Sequence, residues 1–129
     1  MTTRRATCSC GRLAVTTQGE PARNSVCHCL SCKRRTGSAF AWNATFAESH
    51  VEVSGENASY TRASEDGFWV RHHFCGVCGT RVFYAIERRP DMISVPAGLF
   101  MDPAFPPPSV EVYDERRCAW LPELAPSRE

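Results

Sequence analysis

Cys27-His28-Cys29-Leu30-Ser31-Cys32 sets three thiols within six residues, and the rest of the chain reads as the frame that holds them. A knot this tight can deliver three sulfurs to one metal ion. A fourth ligand would have to come from elsewhere. Zinc with three protein ligands keeps an exchangeable fourth position, as catalytic sites do, whereas structural zinc is closed by four. The missing ligand therefore bears on function.

Four further cysteines fall in two pairs, Cys8/Cys10 and Cys75/Cys78. One partition uses all seven with chemical sense. Cys8, Cys10, Cys75 and Cys78 make a closed, structural zinc site, and Cys27, Cys29 and Cys32 make an open, catalytic one, so two zinc ions per chain are expected. Gly11, Gly76 and Gly79 flank the pairs, where they let backbone N–H groups turn toward the sulfurs. The open site could instead be closed by Cys118, His28, His72 or His73. A lone cysteine such as Cys118 is more often a small buried apolar residue. His72 and His73 are adjacent, so in a strand they face opposite ways.

Eight cysteines in 129 residues also permit a disulfide framework. The opening residues, Met1 to Cys8, hold no apolar run of signal-peptide length, so a cytoplasmic location is expected, where thiols stay reduced. The C-x-C and C-x-x-C spacings suit a metal better. No stretch approaches the roughly 20 apolar residues of a membrane span. A formal charge of +1 gives no reason to expect nucleic acid or an anionic membrane as partner. The length fits a single domain over residues 1–129 with a real core; oligomeric state is not encoded in these features.

Alternation every second residue dominates the chain. Leu13, Val15 and Thr17 predict a strand after the first cysteine pair; Phe40, Trp42, Ala44 and Phe46 predict another. Further strands are expected at Val51–Val53, Tyr60–Arg62, Phe68–Phe74, Thr80–Ile86, Met92–Ala97 and Val110–Tyr113. Thr80–Ile86 carries apolar residues on both faces (Val82, Tyr84 and Ile86; Phe83 and Ala85) and reads as central. Lys33-Arg34-Arg35-Thr36-Gly37 reads as a short helix ended by Gly37. The tail from Arg116 is expected to lie over the body through Trp120, with its last residues loose. Short strands and regular turns make a mainly β domain.

A sulfur-rich open site favours a soft fourth ligand, and a substrate thiol fits. The metal would lower that thiol's pKa and hold a nucleophile for a carbonyl carbon; the reverse reaction cleaves a C–S bond. Lys33, Arg34 and Arg35 follow the knot, where they could offset its charge or bind carboxylates of an anionic thiol such as glutathione.

Cys8-Ser9-Cys10-Gly11, Cys27 through Phe40, and Phe74-Cys75-Gly76-Val77-Cys78-Gly79-Thr80, with Pro108, Val110 and Trp120 near the end, resemble the glutathione-dependent formaldehyde-activating enzyme family, which includes the centromere protein V domain. The resemblance spans nearly the whole chain. It implies a β-tent fold of short antiparallel strands, a structural zinc at Cys8, Cys10, Cys75 and Cys78, and a catalytic zinc at Cys27, Cys29 and Cys32. It also implies condensation of formaldehyde with glutathione, a carbon–sulfur lyase activity. Lys33 and Glu111 depart from the arginine and histidine common in that family, which bears on specificity. The expected function is a zinc-dependent carbon–sulfur lyase or synthase; His72 and His73 are candidates for its proton shuttle, although a histidine so placed is more often structural, and the sequence does not identify the general acid or base. The alternative is a non-catalytic zinc-stabilised module that binds glutathione or a protein partner.

Overall fold

The computed structural model describes residues 1–129. Along the chain run β1 (Thr3–Thr7), β2 (Ala14–Gln18), β3 (Arg23–Cys27), the helix α1 (Leu30–Thr36), β4 (Ala41–Ala47), β5 (Val51–Ser54) and β6 (Ala58–Ala63). Then come β7 (Trp69–Phe74), β8 (Arg81–Ile86), β9 (Met92–Pro96), β10 (Val110–Val112) and β11 (Ser127–Arg128). The mainly β architecture expected from the alternation holds. It is divided into a small sheet, β1-β2-β5, and a large one ordered β11-β10-β3-β4-β9-β8-β7-β6. Pairing is antiparallel except at one end, where β10 runs parallel to both β3 and β11.

The two sheets enclose one apolar core. The small sheet and its turn contribute Ala6, Leu13 and Val15; the large sheet contributes Ala44, Phe46, Val82, Phe83 and Val95. Phe100 and Phe105, from the segment after β9, stack on each other and close it. Phe46 is 1 % exposed, and burial of such a side chain stabilises by about 1.5–3 kcal/mol. β4 shows why these strands are buried twice over. Ala44 and Phe46 enter the core, while Asn43 and Thr45 face a polar cavity on the other side.

β1 and β3 carry no apolar alternation, which hid them from a reading of periodicity. β1 commits only Ala6 to the core. β3 turns Val26 inward and spends Arg23, Ser25 and Cys27 on the cavity. The tail also corrects the expectation. Its last residues are not loose: Ser127 and Arg128 pair with β10, and the Glu129 carboxylate accepts two 2.7 Å hydrogen bonds from Arg23. Trp120 does not lie on the body but stands 74 % exposed.

Candidate metal centres and the cavity beside them

Cys8 and Cys10 sit in the turn joining β1 to β2, and Cys75 and Cys78 in the turn joining β7 to β8, so this cluster ties the two sheets together. Its four sulfurs all lie within 4.8 Å of one another. The Cys8–Cys10 and Cys10–Cys75 sulfur separations are both 3.6 Å. A disulfide would need about 2.05 Å. Tetrahedral coordination with Zn–S bonds of about 2.3 Å separates sulfurs by ~3.8 Å. The spacing fits four ligands around one ion, and all eight cysteines are free thiols.

The surrounding backbone favours thiolates here. Leu13 N–H donates to Cys8 Sγ at 3.2 Å, and Val77 and Cys78 N–H point at Cys75 Sγ. The donors are thus neighbours of the glycines, while Gly11 and Gly79, with φ of 83° and 80°, shape the turns. The Thr80 hydroxyl and backbone hold the Cys78 thiol down at about 5. The backbone and side chain of Arg12 lower that of Cys10.

The second cluster holds Cys27, Cys29 and Cys32, again with every sulfur within 4.8 Å of the others. Cys27 ends β3, Cys29 caps the start of α1 by accepting the Cys32 N–H at 3.3 Å, and Cys32 lies in its first turn. The helix ends at Gly37, as expected, in left-handed geometry with φ of 66°. Thiol donation from Cys27 and Cys32 pulls Cys29 down to about 2. Donation to Cys29 and burial push Cys27 up. Cys32 accepts from Cys27 but is still raised by its bond to Cys29 and by burial. A cation bound by the trio would displace the protons its thiols still carry.

No fourth His, Cys, Asp or Glu donor joins this trio. Cys118 stands apart from it. His28 turns away and pairs with buried Glu111, Nε2 to Oε1 at 2.8 Å. His73 stacks on Phe83 with ring centroids 4.4 Å apart. His72 is buried on the other face of β7, as adjacency in a strand requires.

Cys27, Cys29 and Cys32 open into a cavity of about 640 Å³ on the polar face of the large sheet. One row of paired residues, Tyr60, His72, Tyr84, Ser94, Thr45 and Arg23, crosses six strands on that face. All but Tyr60 line the cavity. The register between β7 and β8 skips a residue: His73 opposes Phe83, but Phe74 opposes Arg81. Such a bulge re-aims side chains. Val82 joins the core, contrary to its expected place on a face with Tyr84 and Ile86, and Arg81 is delivered to the cavity. Of the basic run only Arg35 lines the cavity; Lys33 donates to the Arg116 carbonyl and Arg34 is exposed.

Arg81 donates to His72 Nδ1 at 2.8 Å, so the His72 proton resides on Nε2. Burial, and after it the charge of Arg81, lower the His72 pKa to about 3. His72 is thus held as a neutral imidazole with its basic nitrogen engaged by Arg81. Sequence reading missed Arg81, Asn43 and Tyr84. An arginine opening an otherwise apolar central strand was the available signal.

A model of the glutathione-dependent formaldehyde-activating enzyme family matches residues 3–116. The chain belongs to this family. A Fusarium vanettenii protein, provisionally named a glutathione-dependent formaldehyde-activating enzyme, is 27% identical over 84 residues. That match takes in 65% of this chain and 45% of the relative, so the chain spans less than half the relative's length. A crystal structure of a Rhodobacter sphaeroides protein shares the fold, with a TM-score of 0.59 and 24% identity over 74% of this chain and 85% of that one. The family match ends at residue 116, so Arg117 and Arg128, which face Glu111, lie outside it. No helix is long and apolar enough to cross a membrane.

Proposed function

We propose that this protein makes and breaks the carbon–sulfur bond between a small thiol, glutathione or a close relative, and a small aldehyde such as formaldehyde. The observation that carries the reading is the convergence of Cys27, Cys29 and Cys32, without a fourth protein donor, at the wall of a cavity. The donor sets fit zinc in both clusters: all-sulfur ligands at tetrahedral spacing in one, and an all-sulfur trio in the other. Zinc bound by the trio would supply an open coordination position and lower the pKa of a thiol placed there. Cys8, Cys10, Cys75 and Cys78 serve the fold by joining the sheets.

The chain's own residues bind and orient. The trio marks where the substrate sulfur belongs, the cavity admits its remaining atoms, and Arg35 at the wall supplies positive charge for an anionic thiol. In the synthetic direction the thiol sulfur bonds to the aldehyde carbon. The carbonyl π pair moves to oxygen, and the proton lost by sulfur ends there, giving a hydroxymethyl thioether. In the lyase direction the same C–S bond breaks and the proton returns to sulfur.

Cobalt substitution tests this. Glutathione titrated into the cobalt-loaded protein should change the sulfur-to-metal charge-transfer band, and Cys29→Ser should abolish the change. Carbon-13 formaldehyde followed by NMR should show hydroxymethyl adduct forming faster than in enzyme-free buffer. A flat charge-transfer response refutes thiol ligation. A normal response with no rate enhancement refutes catalysis and favours a binding module.

A further inference from the structure

The cavity holds a cation without an anion. Arg23 and Arg88, also in its wall, are neutralised by Glu129 and Asp66. Arg81 lies within ion-pairing distance of no carboxylate and within hydrogen-bonding distance of no cysteine sulfur. Its donors go to His72 Nδ1 at 2.8 Å and, weakly, to Asn43 Oδ1 at 3.5 Å, and its flat face covers Tyr84 at 4.2 Å. Arg81 Nε is buried with no acceptor, and so is Nε2 of His72, a residue only 6 % exposed. A donor left so costs about 1–3 kcal/mol until something accepts from it. Glu65 and Glu115 also stand in the wall, but its arginines, Arg35, Arg62 and Arg89 among them, outnumber its carboxylates.

This arrangement is built, not incidental. Regular alternation along β8 would send Arg81 away from the side that Tyr84 and Ile86 face, and the register skip opposite His73 and Phe74 brings it back. His72 and Asn43 fix two of its donors, and Tyr84 holds its plane. A guanidinium prepared in this way matches a carboxylate better than a point charge would.

We propose that Arg81, held in place by His72 Nδ1 and Asn43, is a carboxylate-binding subsite that selects a carboxylate-bearing thiol over a neutral one. The identity of the ligand as a thiol rests on the function proposed above; the site itself does not. Cys27, Cys29 and Cys32 would receive the sulfur end, and Arg81 the acidic end, within one cavity.

The test separates the two ends of the ligand on the metal-loaded protein. The first probe is a sulfur-free glutathione analogue with 2-aminobutyrate in place of cysteine. It should bind the wild type and shift the Arg81 and His72 side-chain N–H resonances. The second comparison sets glutathione against 2-mercaptoethanol in the cobalt-loaded wild type, Arg81→Met and Arg81→Lys. Arg81→Met should weaken glutathione about 10- to 100-fold, the effect of losing one charge-assisted contact, and leave 2-mercaptoethanol unchanged. Arg81→Lys should fall between. Equal weakening of both thiols would mean that Arg81 only balances the cluster's charge, and would overturn the proposal. So would failure of the sulfur-free analogue to bind the wild type, a result independent of whether any variant folds. If that analogue binds and shifts both residues while no thiol perturbs the cobalt band, the subsite stands and the thiol chemistry falls.

Discussion

Replacing Glu111 with alanine is expected to cost about 3–5 kcal/mol of stability, because it strips three donors of their acceptor at about 1–3 kcal/mol each. The Glu111 side chain is 0 % exposed. One oxygen accepts from His28 Nε2 at 2.8 Å; the other accepts from the backbone N–H groups of Leu124 and Ala125 at 3.0 and 3.3 Å. Arg117 and Arg128 approach at 3.5 and 3.4 Å. Alanine leaves three donors without an acceptor. The two arginines, 23 % and 28 % exposed, can turn to water, which keeps the loss from being the sum of all five contacts. In thermal unfolding the loss amounts to roughly 10–20 °C for a chain of this size. Glu111→Gln retains one acceptor oxygen and should lose only about 1–2 kcal/mol. Urea unfolding at neutral pH measures both, and limited proteolysis should show the 117–129 tail released first in the alanine variant. A loss below about 1 kcal/mol for Glu111→Ala, with the tail still protected, would refute this account of how the tail is held. The pH dependence has a definite sign. Desolvation raises the Glu111 pKa, but the hydrogen bonds from His28, Leu124 and Ala125 and the charge of Arg128 outweigh it and lower it. Its stabilisation is therefore complete above the unfolded pKa of about 4.3 and is lost as pH falls below that.

Cys75→Ser or Cys78→Ser should leave little folded protein, since a structural zinc site contributes about 10–16 kcal/mol in small peptides, as much as a whole domain's stability; normal yield and melting in both would refute it. Cys29→Ser should drop metal content from two ions to one by elemental analysis while the fold persists. The buried His72 has a pKa lowered to about 3, so its contribution is full above its unfolded pKa of about 6.5 and declines as pH falls toward 3. Its ring resonances should show no titration between pH 5 and 8. Gly55→Ala should destabilise by about 2–4 kcal/mol in urea unfolding, because φ is 101° and a Cβ would meet the Arg12 carbonyl oxygen at 2.0 Å.

The partition of seven cysteines was legible in the chain because short tethers leave few options. Cys27, Cys29 and Cys32 must lie near one another whatever the fold, and two pairs 65 residues apart need only one turn-to-turn meeting to close a tetrahedron. Apolar alternation likewise revealed β4, and the glycine after a cationic run revealed the helix stop at Gly37, since each is a local preference of backbone or side chain. What surrounds the open cluster was not local. The cavity wall is one row drawn from six strands, and its membership follows from pairing registers that no single segment contains. A one-residue skip against β7 decides that Arg81 faces the cavity and Val82 the core. β3 and the tail stayed hidden because their residues are polar for the sake of distant partners: Arg23 for Glu129, Asn24 for Trp42, and Arg128 for Glu111. Sequence alone determined which atoms could hold a metal. The tertiary structure decided what stands beside those atoms, because a strand's polar face acquires meaning only from the strands paired on either side of it.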